Sequence, residues 1–225
     1  MQNDDISISA EKPLIGRRFD VNNVGNAEDT SLFGLIVRQW PNLNHGGEPK
    51  GWLVCDDGAM ESADFVHFDN TLDPPELTLI HAKGSSSGNL DREISVADYE
   101  VVVGQAVKNL RYTDRVHISE KLRTTGGGVL KDAVWYRGVR QNNRDGVIQA
   151  LTDAGSNMKK KVVVLQPRVR RTRYEAIREQ FENGEGVNRE MCRLQQLDAL
   201  LLGARSDCYA LGADFEVIAD GVPNP

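Results

Sequence analysis

The chain has 225 residues, 40% hydrophobic and 27% charged, with a formal net charge of -6 at neutral pH; that is enough apolar material for a real core, and a charge that argues against indiscriminate binding to nucleic acid. Cys55, Cys192 and Cys208 stand far apart without paired spacing, which excludes a disulfide framework and a zinc site as readings of the sequence. The acidic start, MQNDDISISAEKP, lacks a signal-peptide core, and no apolar run is long enough for a bilayer, so a cytoplasmic chain with no membrane partner is expected.

In chain order, residues 1–14 read as a flexible tail and 15–225 as a single domain. NAEDTSLFGLIVRQWP offers Asp29 or Thr30 as a cap, then Leu32, Leu35, Ile36 and Trp40 at helical spacing, and stops at Pro41. GWLVCDD, ADFVHFDN and LTLIHAK predict three neighbouring strands, separated by GAMES and by the proline-bearing TLDPPE. SVADYEVVVGQAVKNLRY predicts a second helix capped by Ser95, with Val96, Val103, Val107 and Leu110 on its apolar side. Beyond it, TDRVHISEKLRT reads as a helix, Gly126 to Gly128 as a hinge, AVWYRGV as a strand and NRDGVIQALTDAG as a helix. KKKVVVLQP predicts a buried strand bounded by Pro167, followed by helices over 172–183 and 188–205 and a last strand, DFEVIAD. Strands alternating with helices imply an α/β sheet covered by helices.

Charge is uneven along this plan. Lys159, Lys160, Lys161, Arg168, Arg170, Arg171, Arg173 and Arg178 crowd into one stretch, while acids gather near the amino terminus and from Asp56 to Asp73. A basic stripe on an acidic protein suits a nucleic-acid backbone, and equally a solvated surface.

The most informative stretch is ELTLIHAKGSSSG. In a strand, alternate side chains share a face, so Leu77, Leu79, His81 and Lys83 point one way and Thr78, Ile80 and Ala82 the other. If the preceding strand pairs antiparallel through NTLDPPE, its first residues, with Asp64 and the nearby Glu61, lie beside the end that carries Lys83. On the next helix Gln105 and Lys108 sit one turn apart, with Tyr112 one turn further.

A helix, three strands, a helix and a strand, with an acid in the second strand and x-Lys closing the third, resembles the core of the PD-(D/E)xK nuclease superfamily. DDGAMESADF, HAKGSSSG and YEVVVGQAVKNLRY look like a bacterial branch often attached to helicase-like proteins and suspected of roles in restriction or phage defence. The likeness covers about residues 28–166; VVVLQP and GADFEVIAD, the latter in a carboxyl-terminal extension over 167–225, match more loosely. It implies an α/β restriction-endonuclease-like fold, a mixed central sheet flanked by helices. It implies an enzyme, an Mg²⁺- or Mn²⁺-dependent deoxyribonuclease acting in antiviral defence. Asp64, His81, Lys83 and Gln105 would form the catalytic set, with Asp64, Glu61 and His81 on the metal, the further carboxylate coming from Glu61 or from Glu28 on the first helix. Lys108, Arg168, Arg170, Arg171 and Arg173 would meet the DNA, expected to be double-stranded, and a helicase or another defence protein is the expected partner.

The chemistry stands without the family name. In-line phosphodiester cleavage needs an activated water and neutralised phosphate charge, which a divalent ion on one or two carboxylates supplies; a lysine adds a compact cation. His81 departs from the pattern, because imidazole suits Mn²⁺ better than Mg²⁺. It is a ligand, or orients water or phosphate, or marks a decayed metal site in a noncatalytic module that binds nucleic acid or a helicase. His45 in a polar loop, His67 facing away from Asp64 and His117 on a surface helix gain no such support; Asp56 and Asp57 read as turn residues before Gly58, GSSSG as a flexible connection, and Trp52 and Trp135 as core.

Overall fold

The computed structural model describes residues 6–43, 48–58, 60–125, 128–184 and 186–220. Its elements are β1 (Leu14–Ile15), β2 (Arg18–Phe19), α1 (Leu32–Gln39), β3 (Trp52–Cys55), β4 (Phe65–Asp69), β5 (Glu76–Ala82), α2 (Val96–Lys108), α3 (Arg115–Thr125), β6 (Val134–Tyr136), β7 (Val139–Arg140), α4 (Asp145–Asp153), β8 (Lys159–Arg170), α5 (Arg171–Glu182), α6 (Arg189–Ala210) and β9 (Asp214–Asp220). His45, Gly126 and Gly127 lie outside the described residues.

Seven strands form one mixed sheet in the order β7-β6-β3-β4-β5-β8-β9, and β1 and β2 make a separate small hairpin. The neighbours from β7 to β5 pair antiparallel, whereas β5–β8 and β8–β9 are parallel. The protein is therefore α/β with a helix-flanked mixed sheet, the coarse class expected from alternating strands and helices.

Strand alternation divides the core into two sides. Leu53, Cys55, Phe65, Ile80, Ala82, Val163 and Leu165 pack with α1 residues on one side. On the other, Val54, Val66, Phe68, Leu77 and Leu79 meet Ile118, Leu122, Val147 and Leu151 of α3 and α4, while Val162 and Val164 meet α2 and α6. With both faces covered, β4 and the middle of β8 are buried almost without interruption, which explains runs such as VVVLQ. Among the described residues no helix is long and apolar enough to cross a membrane.

Three local differences from the sequence expectations have physical causes. Helix α1 is capped by Ser31, whose Oγ accepts from the Gly34 amide at 3.2 Å, because Asp29 instead accepts from the Gly25 and Ser31 amides and the Ser31 hydroxyl. Ser95 does precede α2, yet its side chain makes no capping bond. Strand β8 runs past Pro167 to Arg170: the ladder to β9 is irregular between Leu165 and Arg170, so the residue with no amide hydrogen falls where none is needed.

The stretch expected as a tail is docked over residues 6–13. Its backbone accepts from Ser85, Leu32 and Phe33 through the Ile8, Ala10 and Glu11 carbonyls at 2.8–3.0 Å, and the Ser7 amide donates to Thr30 at 2.8 Å. Gly84 permits this approach, since a Cβ there would stand 2.8 Å from the Ser9 carbonyl oxygen.

Candidate metal centre

The centre lies at the sheet end where β3 stops, β4 starts and β5 stops. Antiparallel pairing sets Phe65 opposite Ile80, so one step further brings Asp64 beside the last residues of β5. Asp64 Oδ2 accepts the Ala82 amide at 2.7 Å, and the Asp64 carbonyl accepts the Asp56 amide at 3.0 Å. The side chain is 5% exposed. Between β3 and β4 the chain folds back, and this return loop carries Asp57 and Glu61. One ligand atom from each of Asp57, Glu61 and Asp64 lies within 4.8 Å of the others, an arrangement able to hold a metal ion.

The loop is pinned from below by Asp56. Its carboxylate accepts from the Ser62 amide and hydroxyl, the Thr125 hydroxyl at 2.8 Å and Arg144 at 3.1 Å, and both ion-pair side chains are 1% exposed. Arg144 also donates to the Cys55 and Leu130 carbonyls and the Thr125 hydroxyl. Asp56 thus serves the fold while its neighbour Asp57 joins the centre. The turn reading missed the buried ion pair of Asp56 and the place of Asp57 in the metal-capable group.

Two ammonium groups face the carboxylates. Lys12 Nζ lies 2.7 Å from Asp57 and 3.7 Å from Glu11; Lys83 Nζ lies 2.7 Å from Glu11. Gln105 of α2 donates to Glu61 at 3.4 Å. Four carboxylates (Glu11, Asp57, Glu61, Asp64) minus two ammonium groups (Lys12, Lys83) leave a formal charge of -2 when all are ionised, which one divalent cation would cancel. The electrostatics agree: burial, then repulsion from Glu61, Asp57 and Glu11, holds the Asp64 carboxyl well above the usual range against the opposing Ala82 hydrogen bond. Burial and Asp57 likewise raise Glu61. Burial would lower Lys12, but Asp57, Glu11 and Asp64 together lift it above its ordinary value. An all-oxygen donor set of this kind could hold a hard cation.

Of the residues singled out from sequence, Asp64, Glu61, Lys83 and Gln105 meet at this end, although Lys83 pairs with Glu11 rather than with Asp64. His81 is fully buried, neither ring nitrogen has a hydrogen-bond partner, and it is not part of the carboxylate group. Burial alone takes its pKa down to about 4, so the ring is neutral at pH 7. Glu28 is exposed in the turn ahead of α1 rather than on the helix, and the described metal-capable group does not include it. His67 is buried beneath Trp40 with Nε2 2.9 Å from the Lys50 carbonyl oxygen, and His117 is exposed on α3.

The basic stripe is largely engaged within the chain. Arg168 donates to the Glu93 carbonyl and the Ser86 hydroxyl and lies 3.7 Å from Asp98; Arg170 bonds the Leu90 carbonyl. Arg171 pairs with Glu175 and Arg173 with Glu190. Lys108 is exposed at the end of α2. Lys159 and Lys161 start β8 beside Glu76, at the opposite end of β5 from the centre. Sequence reasoning missed Glu11 and Lys12, and the only available signal was the pairing of opposite charges in AEKP.

No family model matches the chain, and comparisons with curated proteins and with solved structures gave no match.

Proposed function

We propose that the protein is a divalent-cation-dependent phosphodiesterase acting on DNA, built on a restriction-endonuclease-like arrangement of β3, β4, β5 and α2. The observation that carries this reading is the convergence of Asp57, Glu61 and Asp64 to within 4.8 Å beside the Lys12 and Lys83 ammonium groups. The three carboxylates would hold Mg²⁺ or Mn²⁺, which supplies a water of lowered pKa and neutralises phosphate charge. Lys83, 44% exposed at its side chain, is the cation best placed to leave Glu11 for a phosphate oxygen. Lys12 pairs with Asp57 at 2.7 Å, and Gln105 orients Glu61 by donating to it at 3.4 Å. His81 packs beneath the centre as a neutral ring, and the carboxylate role that a second acid of β5 would play passes to the loop residues Asp57 and Glu61.

The test is cleavage of plasmid and linear DNA with Mg²⁺ or Mn²⁺ by the wild type and by Asp57→Ala, Asp64→Ala and Lys83→Ala. Loss of about a hundredfold or more is expected for each. Metal-dependent cleavage that persists unchanged in Asp64→Ala and Lys83→Ala defeats the assignment.

The seating of His81 favours one second reading, a noncatalytic module that binds nucleic acid or a helicase partner. It would give salt-sensitive DNA binding that survives Asp64→Ala and shows no turnover.

A further inference from the structure

Asp57 also borders a cleft of about 570 Å³ between the β2 end of the hairpin and the carboxyl end of α3. That volume is far larger than an ion or water needs and falls within the range of small-molecule sites, roughly 300–1,000 Å³. One wall is apolar: Phe19, Val21, Val129 and Leu130. Val129 is 81% exposed on the rim. The Phe19 ring links the cleft to the metal centre, since Lys12 Nζ lies 5.2 Å from its centroid, and it packs nearly perpendicular to Phe33 with ring centroids 5.8 Å apart. On the other wall Lys121 donates to the Met60 carbonyl at 2.6 Å, and among the described residues no carboxylate comes within ion-pair distance of it. The cleft therefore brings together Asp57 of the carboxylate centre, an aromatic and aliphatic wall, and the Lys121 ammonium group, which among the described residues has no carboxylate partner.

We infer that this cleft seats the base and sugar of an unstacked nucleotide whose phosphate lies against the Asp57, Glu61 and Asp64 group, with Lys121 meeting a neighbouring phosphate. The inference rests on the proposed phosphodiesterase reading and narrows its substrate to nucleic acid that can present a nucleotide out of the stack, as a single strand or a frayed end. A planar base stacked by its π-face against Phe19 and Val129 gains from stacking and burial, and Lys121 adds a contact with no sequence preference.

The experiment is calorimetric titration of the full chain with thymidine 5′-monophosphate and with inorganic phosphate, in Mn²⁺ and in chelator, alongside direct titration with Mn²⁺. The nucleotide is expected to bind about tenfold or more tightly than phosphate. Val129→Asp and Lys121→Ala should each weaken nucleotide binding at least severalfold while leaving Mn²⁺ uptake unchanged. Val139→Asp, a similarly exposed position on β7, should match the wild type in both. Nucleotide binding no tighter than phosphate, or unaffected by Val129→Asp, overturns the cleft assignment even where Mn²⁺ uptake is intact. Absence of Mn²⁺ uptake with preferential nucleotide binding retained overturns the metal centre and leaves the cleft standing.

Discussion

Replacing His81 by leucine should make the protein more stable. The imidazole is fully buried and both nitrogens lack partners, so in the folded state it forfeits hydrogen bonds that water provides to the unfolded chain. An unpaired buried polar group costs about 1–3 kcal/mol, and leucine is close enough in volume to leave little cavity or strain. For a chain of this size each kcal/mol moves the midpoint by roughly 2–4 °C, which gives a rise of roughly 2–12 °C at pH 7. Acid should widen the gap. The folded pKa of about 4 lies below the ordinary 6.5, so the unfolded ring binds a proton from about pH 6.5 downward while the folded ring does not until about pH 4. The wild type therefore loses stability as pH falls through that window, by about 3 kcal/mol in all for this one group, and Leu at position 81 abolishes that loss. Urea unfolding of both proteins at pH 7 and pH 5, with Mn²⁺ titration at pH 7, measures each part. A leucine variant that is less stable at pH 7, keeps a constant gap on acidification or loses Mn²⁺ uptake would place the imidazole in the centre and refute the argument.

Asp64→Asn should stabilise the cation-free protein at pH 7 to 8, because it removes a charge that burial and three acidic neighbours disfavour, and should abolish thermal stabilisation by Mn²⁺; a lower melting point without metal contradicts this. In the wild type, Mn²⁺ at a hundred times its dissociation constant adds about 2.7 kcal/mol, a shift of roughly 5–11 °C by scanning calorimetry. Since Asp64 and Glu61 are raised, cation-free stability should fall as pH climbs from the ordinary carboxylate range through their elevated values. Mn²⁺ should then bind more tightly at higher pH with release of protons, read as a dependence of the calorimetric heat on buffer ionisation; no such dependence counts against the raised carboxyls. Arg144→Met, which strands the Asp56 carboxylate at 1% exposure, should cost about 3–5 kcal/mol in urea unfolding, part of it recovered by adding Asp56→Asn. A loss under about 1 kcal/mol would mean that the Asp56–Arg144 pair does not secure the loop.

Periodicity made the sheet readable. The β-rich run FVHFD and the alternation in LTLIHA, with the prolines of TLDPPE between them, foretold β4 and β5, and the antiparallel pairing that would bring Asp64 to the end of β5 is the one observed. What periodicity could not show was depth. His81 and Lys83 share a strand face, yet one is sealed under helices and the other passes the end of the strand into solvent. Nor could it show contacts between remote segments: Asp57 looks like any turn residue until Lys12, 45 positions earlier, is laid beside it. The arginines of β8 and α5 form a dense run in one dimension, but acids of α2, α5 and α6 intercept them in three. Short elements such as β1, β2 and β7 have no period to detect.

The docked amino-terminal segment makes the protein sensitive to trimming in an unusual way. Cutting before Leu14 removes Glu11 and Lys12 together, so the ionic tally of the centre is unaltered, yet Lys83 and Asp57 lose their counterparts and α1 loses the carbonyls that cover its Leu32 and Phe33 amides. Preparations with a ragged start would hold one sheet and two populations of centre, differing in how readily the Lys83 ammonium swings free.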